Sequence, residues 1–220
     1  MPTIDYRNEL NARVPGTTTI IGRFKESGGL IGWAYKTGRE HGDLAARGLP
    51  APKSLYEVTD KACDIGTLAH QLVECHIQNK LLPIEAASNE NAMKAFGAYL
   101  EWEQGSKVQI EKTEINLVSE EHQYGGCPDA IGKINGRWVL LDWKTSNAVY
   151  TDHLIQMAAY GHLIYECLQI DVQGYHLCRF SKENVDFGHH FFDQLDNEWE
   201  SFKLMRRLYD LDKITKKRVG

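Results

Sequence analysis

The hydrophobic positions in the first half of the chain recur with helical spacing. A first helical stretch covers residues 30–40 between glycine-rich breaks, and a stronger one covers residues 54–82. Pro83 ends the second stretch, because proline cannot continue a helix, and residues 89–104 are predicted to form another helix. The apolar stripe that defines the stronger stretch, with spacings of three and four, comprises Ile65, Leu68, Ala69, Leu72, Val73 and Ile77.

The middle of the chain changes to the two-residue alternation of β-strands. Residues 108–111 and 113–118 alternate in this way, and residues 123–134 and 137–145 follow as two further runs. Asn135-Gly136 separates the last two runs, and this dipeptide strongly favours a two-residue hairpin turn. The pattern therefore predicts a strand meander in which residues 123–134 pair with residues 137–145.

Helix and strand alternate again after the meander. The pattern predicts a helix over residues 151–168, a strand over 172–180 and a closing helix over 194–210. Helices, meander, helix and strand in this order predict an α/β or α+β fold, with a mixed central β-sheet flanked by helices. A length of 220 residues suits one compact domain, in which residues 1–55 form an N-terminal helical elaboration.

The composition is that of an ordinary globular protein. Hydrophobic residues make up 42% and charged residues 25%, which supports a packed core and argues against whole-chain disorder. No apolar run approaches the roughly 20 residues that a membrane helix needs. The N-terminal residues lack the basic and then apolar pattern of a signal peptide. We therefore expect a cytoplasmic protein that does not bind a membrane.

The cysteines indicate neither a disulfide framework nor a metal cluster. Their number is odd, they are widely spread, and no C-x-x-C pair occurs. This spacing argues against a zinc ribbon and against an iron–sulfur cluster. We expect reduced and mostly buried thiols at Cys63, Cys75, Cys127, Cys167 and Cys178.

The charge distribution leaves nucleic-acid binding open. The formal net charge is −5, whereas DNA-binding proteins usually carry a basic patch. Basic residues do cluster at 213–218, and Lys36, Arg39 and Arg47 lie nearer the start. A basic tail is either a solvated end or a DNA contact, and the sequence does not choose between them.

The most informative chemistry lies on the run 137–145. Asp142 and Lys144 share one face of this strand, because side chains alternate, and the preceding residues have the pattern of a buried strand. Burial of a charge is costly unless the charge is paired or binds a metal. The hairpin brings Asp129 near Asp142, and two adjacent carboxylates repel. A divalent cation resolves this conflict, and oxygen ligands favour Mg²⁺ or Mn²⁺, with Lys144 beside the attacking water or phosphate.

Each of these residues also has a plain structural interpretation. Asp142 and Lys144 could form an ion pair on an exposed strand edge, and Asp129 follows a turn-like Gly-Gly-Cys-Pro stretch. His70 lies at the edge of the apolar helix stripe, where a histidine is commonly a satisfied boundary residue with Glu74 one turn later. The functional interpretation depends on the whole set occurring in one order.

A downstream pair completes that order. Gln156 and Tyr160 lie four residues apart on the helix that follows the D-x-K strand, so they share a face and can reach back towards the carboxylates. The combined pattern resembles the PD-(D/E)XK nuclease superfamily, and its RecB-like branch in particular, which includes phage and single-strand DNA exonucleases. The residues that carry the resemblance are Gly66-x-x-x-His70, Glu114, Gly126-x-Pro128-Asp129, Asp142-x-Lys144-Thr145 and Gln156-x-x-x-Tyr160. Residues 17–22, followed by Trp33-Ala34, also resemble the N-terminal stretch of some members.

The resemblance implies a restriction-endonuclease-like core and a metal site. His70, Asp129 and Asp142 would be ligands of Mg²⁺ or Mn²⁺, and the backbone carbonyl of Trp143 would be a further ligand. Lys144 would be the catalytic lysine. The number of metal ions, one or two, stays open.

The remaining matched residues would support catalysis and substrate binding. Gln156 and Tyr160 would hold the site and the DNA strand, and Thr145 would contact the substrate. Glu114 would help to bind a second metal ion or orient a ligand. Some relatives carry four cysteines for an iron–sulfur cluster, and the cysteines of this chain do not match that pattern. The chain also lacks the Walker A sequence of a helicase motor.

The resemblance implies a metal-dependent DNA exonuclease that acts on ends of single-stranded or processed DNA, in recombination, repair or phage DNA metabolism. A single-strand annealing or other recombination protein is the expected partner. A structure-selective or restriction-type endonuclease with the same fold is one alternative. An inactive relative that binds DNA or a recombination partner is another. Cleavage polarity, strand preference and oligomeric state are not determined by the sequence.

Overall fold

The computed structural model of the protein describes residues 4–25, 28–51, 55–181 and 187–219. Within these ranges it does not describe the side chains of residues 28–30, 33 and 55–64. The helices of the described segments are α1 (Thr17–Phe24), α2 (Gly28–Ala46), α3 (Leu55–Ile77), α4 (Ile84–Ser88), α5 (Glu90–Ser106), α6 (Thr151–Leu168) and α7 (Asp196–Val219). The strands are β1 (Gln109–Thr113), β2 (Leu117–Ser119), β3 (Tyr124–Gly126), β4 (Ala130–Ile134), β5 (Arg137–Thr145), β6 (Tyr175–Phe180) and β7 (Phe187–Phe192).

A mixed five-stranded sheet with the order β1-β4-β5-β6-β7 forms the centre of the fold. Strands β4 and β5 pair antiparallel, whereas β5 and β6 pair parallel through the crossover helix α6. Strands β2 and β3 form a separate two-stranded sheet. This α/β architecture, with a mixed central sheet flanked by helices, confirms the predicted fold class.

The hairpin between β4 and β5 has the geometry that its sequence predicts. Asn135 and Gly136 have φ values of 51° and 79°, and a turn with two positive φ values matches the twist of the flanking strands. The register pairs Ala130 with Leu141 and Ile131 with Leu140. Asp129, directly before β4, therefore lies beside the C-terminal half of β5.

The two faces of the sheet are packed against different helices. Leu140 and Leu177 face a core layer that includes Leu163 of α6 and Phe202 of α7. The alternate residue Leu141 faces a second layer with Leu72 of α3 and others of α5. Asp142 follows Leu141 on β5 and is fully buried, so the carboxylate is part of a packed interior and not of an exposed strand edge.

Several predicted elements are corrected by the structure. The run 123–134 is not one strand, because it is interrupted at residues 127–129, where Pro128 lacks a backbone N–H for the ladder. The run 113–118 yields only the short β2, which pairs with β3 outside the central sheet. The helix predicted over 54–82 ends earlier, at Ile77, and Pro83 precedes the short additional helix α4.

Two elements, α1 and β7, had no clear pattern in the sequence, and a third, α7, extends beyond its predicted end. Helix α1 begins with three threonines, which have weak helix propensity, and forms where Ile20 and Ile21 pack into the core. Strand β7 pairs with β6 through tertiary contact. Helix α7 continues past the predicted end at Asp210 to Val219, and an ion pair one turn apart joins Lys216 to Asp212.

The cysteine thiols of the described side chains are free, at Cys75, Cys127, Cys167 and Cys178. Of these only Cys178 is buried, so the expectation of mostly buried thiols is wrong. The side chain of Cys63 lies outside the described residues. Among the helices of the described segments, none has both the length and the apolar character to cross a membrane.

Candidate active site

A cavity of about 900 Å³ opens where β4 begins and β5 ends. Helices α3 and α6 contribute to its walls, together with the N-terminal segment before α1 and the C-terminal half of α7. The sequence-predicted residues that line it are His70, Asp129, Trp143, Lys144, Gln156 and Tyr160. Residues separated by about 90 positions in the chain thus share one cavity.

Asp142 is not among the residues that line this cavity, but it is buried beside Lys144, which does line it. The side chain of Asp142 is 1% exposed, and its Oδ2 atom lies 2.5 Å from Nζ of Lys144, whose side chain is 17% exposed. The Lys144 ammonium satisfies Oδ2 of Asp142, whereas Oδ1 has no hydrogen-bond partner among the described residues. Buried carboxylate oxygens are nearly always satisfied, so the free Oδ1 atom is a position where a further positive ligand could bind.

The charges of this ion pair perturb each other's titration. Burial raises the pKa of Asp142 to about 6, against the opposing effect of the Lys144 ammonium. Burial disfavours the charged form of Lys144 too, but Asp142 and Asp129 outweigh it and raise the lysine pKa above its ordinary value. Lys144 is therefore a fixed positive charge at neutral pH, held by two carboxylates.

Asp129 is positioned by the backbone of the neighbouring strand. Its Oδ2 atom accepts a hydrogen bond of 2.8 Å from the backbone N–H of Trp143, the residue between Asp142 and Lys144. Burial raises the pKa of Asp129, while Lys144 and the Trp143 N–H act in the opposite direction. The indole of Trp143 points to the other face of the sheet and packs against Tyr99, with ring centroids 6.0 Å apart.

His70 reaches the same cavity from α3. Burial lowers the pKa of its imidazole and Lys144 adds to this effect, whereas Glu74 and Asp142 oppose it. The lowered pKa favours the neutral imidazole, which is the form that binds metal ions. Because the charges of Asp142 and Lys144 both affect the pKa of His70, the three side chains belong to one polar cluster.

Gly66 explains how α3 can approach β5 so closely. A Cβ atom at this position would lie 2.9 Å from Cβ of Thr145 and closer still to its methyl carbon. The Cβ atom of Thr145 is attached directly to the backbone of β5, so it cannot move away by side-chain rotation. A contact this short therefore requires the backbone to move. Any side chain at Gly66 would push α3, and His70 one turn further along it, away from the cavity.

We expect Gly66→Ala to lower stability by roughly 1–3 kcal/mol, as overpacking does, and to reduce any activity of the site because His70 is displaced. Gly97, in the middle of α5, has open space around its Cα and is the matched control. Gly97→Ala should stabilise by about 0.5–1 kcal/mol, since alanine favours the helix. Urea unfolding of both variants measures the difference, and equal stabilities would contradict the packing argument.

Gln156 and Tyr160 act as a unit on α6. The Nε2 atom of Gln156 donates a hydrogen bond of 2.7 Å to the Tyr160 hydroxyl. Burial and the nearby Asp142 carboxylate raise the pKa of Tyr160 well above its ordinary value, so the phenol keeps its proton. Gly126 permits this arrangement, because a Cβ there would lie 2.6 Å from the Tyr160 ring.

Glu114 and Thr145, like Asp142, are not among the residues that line the cavity. Glu114 is exposed, has a φ of 49°, and donates its backbone N–H to the carbonyl oxygen of Asp129 at 3.1 Å. Its side chain accepts a long hydrogen bond of 3.4 Å from Gln78. Thr145 packs against Gly66, so its observed contact is between two elements of the fold.

The donor set suits a divalent cation in its chemistry. One imidazole, two carboxylates and the Trp143 carbonyl would present mainly oxygen ligands, as Mg²⁺ and Mn²⁺ prefer. The donor atoms of His70, Asp129 and Asp142 do not all lie within 4.8 Å of one another. The Lys144 ammonium instead neutralises Asp142 directly. The free Oδ1 atom of Asp142 fits a cation that binds beside this ion pair or displaces the Lys144 ammonium from it.

A second group of residues lines the cavity without any signal in the sequence. Tyr6, Arg13, Tyr209 and Lys213 come from the two ends of the chain, where no motif marks them. The N-terminal segment is held by the backbone hydrogen bond from Gly125 N–H to the Pro15 carbonyl and by the Tyr6 ring over Gly125. In the sequence, only the adjacent glycines Gly125 and Gly126 indicate that other segments pack closely against this strand.

Comparisons with known proteins give distant structural likenesses. No protein-family model matches the chain, and no curated protein matches it either. A crystal structure from Eubacterium rectale, described provisionally as an exonuclease, is 13% identical, with a TM-score of 0.47, 70% of this chain covered and 67% of that chain. An alkaline exonuclease from Laribacter hongkongensis is 12% identical, with a TM-score of 0.33 and coverage of 56% and 71%. Its complex with dAMP gives a TM-score of 0.34, 12% identity and coverage of 73% and 92%.

Proposed function

We propose that this chain is a metal-dependent deoxyribonuclease of the PD-(D/E)XK type, RecB-like in its motifs, and an exonuclease rather than an endonuclease. One observation carries the proposal. A fully buried carboxylate, Asp142, forms an ion pair with Lys144, which lines an open cavity, and Oδ1 of Asp142 has no hydrogen-bond partner among the described residues. Asp129 and His70 line the same cavity. Charged groups that are removed from water in this way lower the stability of the fold. Their presence is explained if they bind a charged substrate or its metal ion.

His70, Asp129, Asp142 and the Trp143 carbonyl would hold Mg²⁺ or Mn²⁺. When bound, the ion would make a water molecule more acidic and neutralise charge that develops on the phosphate. The lowered pKa of His70 favours the neutral imidazole that a metal ligand needs, whereas burial raises the pKa of both Asp129 and Asp142, so a bound cation would have to favour their ionised forms.

Lys144 has a fixed positive charge at the point where a phosphodiester would enter. Its ammonium stabilises the extra negative charge of the transition state, or holds the attacking water by a hydrogen bond. The water oxygen forms a new bond to phosphorus as the bond to a sugar oxygen breaks, and that oxygen leaves with a proton. The protonated phenol of Tyr160, held by Gln156, is a hydrogen-bond donor for a phosphate oxygen.

The shape of the cavity favours a single strand or a frayed end as substrate. A cavity of about 900 Å³ is in the size range that accepts small ligands, which corresponds to one or a few nucleotides and not to a duplex. Tyr6 and Tyr209 offer rings for base stacking, and Arg13 and Lys213 offer cations for phosphates. These basic and aromatic side chains give the cavity a local surface suited to DNA, although the net charge of the chain is −5.

Digestion of labelled DNA in Mg²⁺ tests the proposed activity. Linear single strands and duplexes carrying a 5′ or a 3′ label are compared with a closed single-stranded circle of the same sequence. We expect nucleotide release from linear single strands and no cleavage of the circle. Cleavage of the circle would favour the endonuclease alternative. Binding without cleavage of any substrate would favour the inactive DNA-binding alternative.

Lys213→Ala is expected to weaken DNA binding several-fold without loss of chemistry, because the side chain contacts phosphate from the cavity wall. The salt dependence of binding should also fall, with the slope of log K against log salt reduced by about 1. Lys94→Ala is the matched control, since Lys94 lies on α5 and pairs with Glu90 outside the cavity. Fluorescence anisotropy at several salt concentrations measures both variants, and equal slopes for Lys213→Ala and wild type would exclude the contact.

The biological setting is a further part of the proposal. End-directed hydrolysis of single strands suits recombination, repair or phage DNA metabolism in the cytoplasm, with a single-strand annealing protein as partner. Support for this setting comes from the motif resemblance alone. The single-domain organisation is supported by the central sheet, which both core layers share.

A further inference from the structure

A second group of metal-ligating side chains lies outside the cavity. Glu121 and His122 are in the turn that joins β2 to β3, and His162 is on α6. One donor atom from each of the three lies within 4.8 Å of the others. Among the described residues, this is the group in which three such donors converge so closely.

Two buried atoms next to this group lack hydrogen-bond partners. They are Nε2 of His162 and Oε2 of Glu166, which lie 3.5 Å apart on successive turns of α6. The other oxygen of Glu166 accepts backbone hydrogen bonds from Glu120 at 2.8 Å and Glu121 at 3.1 Å. Glu166 is therefore held by the turn between β2 and β3, including Ser119, while its Oε2 atom has only a long contact of 3.5 Å to Nε2 of His162. Unsatisfied buried atoms of this kind are rare in proteins and call for a ligand.

Trp199 of α7 holds both imidazoles in place. Its ring stacks on His162 with centroids 4.1 Å apart and an interplanar angle of 15°, and it meets the His122 ring edge-on at 5.1 Å. Imidazoles whose orientation is already fixed by packing lose little freedom when they coordinate a metal ion.

We propose that Glu121, His122 and His162, with Glu166 beside them, bind one transition-metal cation of the Zn²⁺ class. Two imidazole nitrogens and carboxylate oxygens are a donor set for Zn²⁺, whereas Mg²⁺ prefers oxygen ligands alone. A cation at the centre of the three donors would lie within about 2.8 Å of each, so small side-chain rotations reach the usual distances of about 2.0–2.2 Å.

The position of this site gives the cation a structural role. The same turn holds the N-terminal segment, since Asn8 donates to the Gln123 side chain at 2.7 Å and the backbone N–H of Glu9 donates to Glu120 at 2.8 Å. That segment forms one wall of the active-site cavity. A bound cation would fasten the turn to α6 and thereby order the cavity wall from outside.

Zn²⁺ titration of the full chain tests the proposal. The titration uses isothermal calorimetry in excess Mg²⁺, on the Asp142→Asn variant (the parent protein of this test), in which the proposed active-site metal site lacks one of its ligands. We expect one Zn²⁺ per chain and a rise in melting temperature. His122→Gln should weaken Zn²⁺ binding at least about tenfold, the smallest loss expected when a ligand is removed, since outer-shell changes alone cost 10–100-fold.

Two further variants keep the test decisive. Glu121 is exposed, so Glu121→Gln removes a ligand without endangering the fold and should also weaken binding. His190→Gln, on β7, is the control and should bind Zn²⁺ as its parent does. The proposal is overturned if micromolar Zn²⁺ does not bind to the parent. It is equally overturned if both ligand variants bind Zn²⁺ with the parent's affinity. Either failure would leave the proposed nuclease activity unaffected.

Discussion

Asp142→Asn is expected to abolish magnesium-dependent cleavage while DNA binding persists. Asparagine keeps the shape of the buried side chain but removes the charge that a divalent cation and Lys144 require. The loss of a charged ligand from the centre of the site should lower turnover by on the order of 10³-fold or more. Turnover of a labelled single strand and anisotropy with the same strand measure the two quantities separately.

The control for this variant is Asp193→Asn, which makes the same chemical change at an exposed position. Its turnover should equal that of wild type. Circular dichroism of Asp142→Asn verifies that the fold is retained, so that inactivity is not mistaken for unfolding. Persistence of wild-type cleavage in a folded Asp142→Asn protein would rule out the proposed mechanism.

Lys144→Ala is expected to lower turnover by roughly 10²–10³-fold, as the loss of one preorganised electrostatic group does. DNA affinity should fall little, because the phosphate contact of Lys144 is one among several. The same measurements of turnover and anisotropy apply. Lys112→Ala, at an exposed position on β1, is the control and should cleave at the wild-type rate.

The structure changes what should be expected of stability in this variant. An exposed lysine would contribute little, but the Lys144–Asp142 pair is buried, and breaking such a pair leaves an uncompensated charge. We expect a loss of about 3 kcal/mol, limited by protonation of Asp142, whose pKa is already about 6. The double variant Asp142→Asn with Lys144→Ala should regain much of this stability and no activity. A near wild-type cleavage rate in Lys144→Ala would show that the pair is purely structural.

The buried ion pair connects stability to the proposed chemistry. Two carboxylates and a lysine at the end of a central strand are an unfavourable arrangement for the fold alone, because each charge loses its water. The cavity above them gives access to a charged ligand that would compensate the loss. Binding of a divalent cation should therefore stabilise the folded protein, and the stabilisation should depend on Asp142.

Much of the fold follows from local sequence. The Asn135-Gly136 hairpin, the helix over residues 151–168 and the alternation that places Asp142 and Lys144 on one face of β5 were all predictable. Each depends on interactions between residues close in the chain, in which turn chemistry or hydrophobic periodicity is decisive. The order of the motifs likewise indicated which side chains form the candidate site, and the roles of these side chains are a proposal.

Other features depend on contacts between distant parts of the chain. Only the tertiary structure shows that the Asp142–Lys144 pair is shielded from solvent and that Gly66 packs against Thr145. It also shows that Tyr6 and the C-terminal helix form part of the cavity wall. Helix α1 and strand β7 had no clear pattern in the sequence, and they form where α1 packs into the core and β7 pairs with β6. The physical reason is that packing between distant elements contributes more free energy than local preference does. A segment with a weak preference for helix or strand therefore adopts the structure that covers an apolar face or pairs with an open sheet edge.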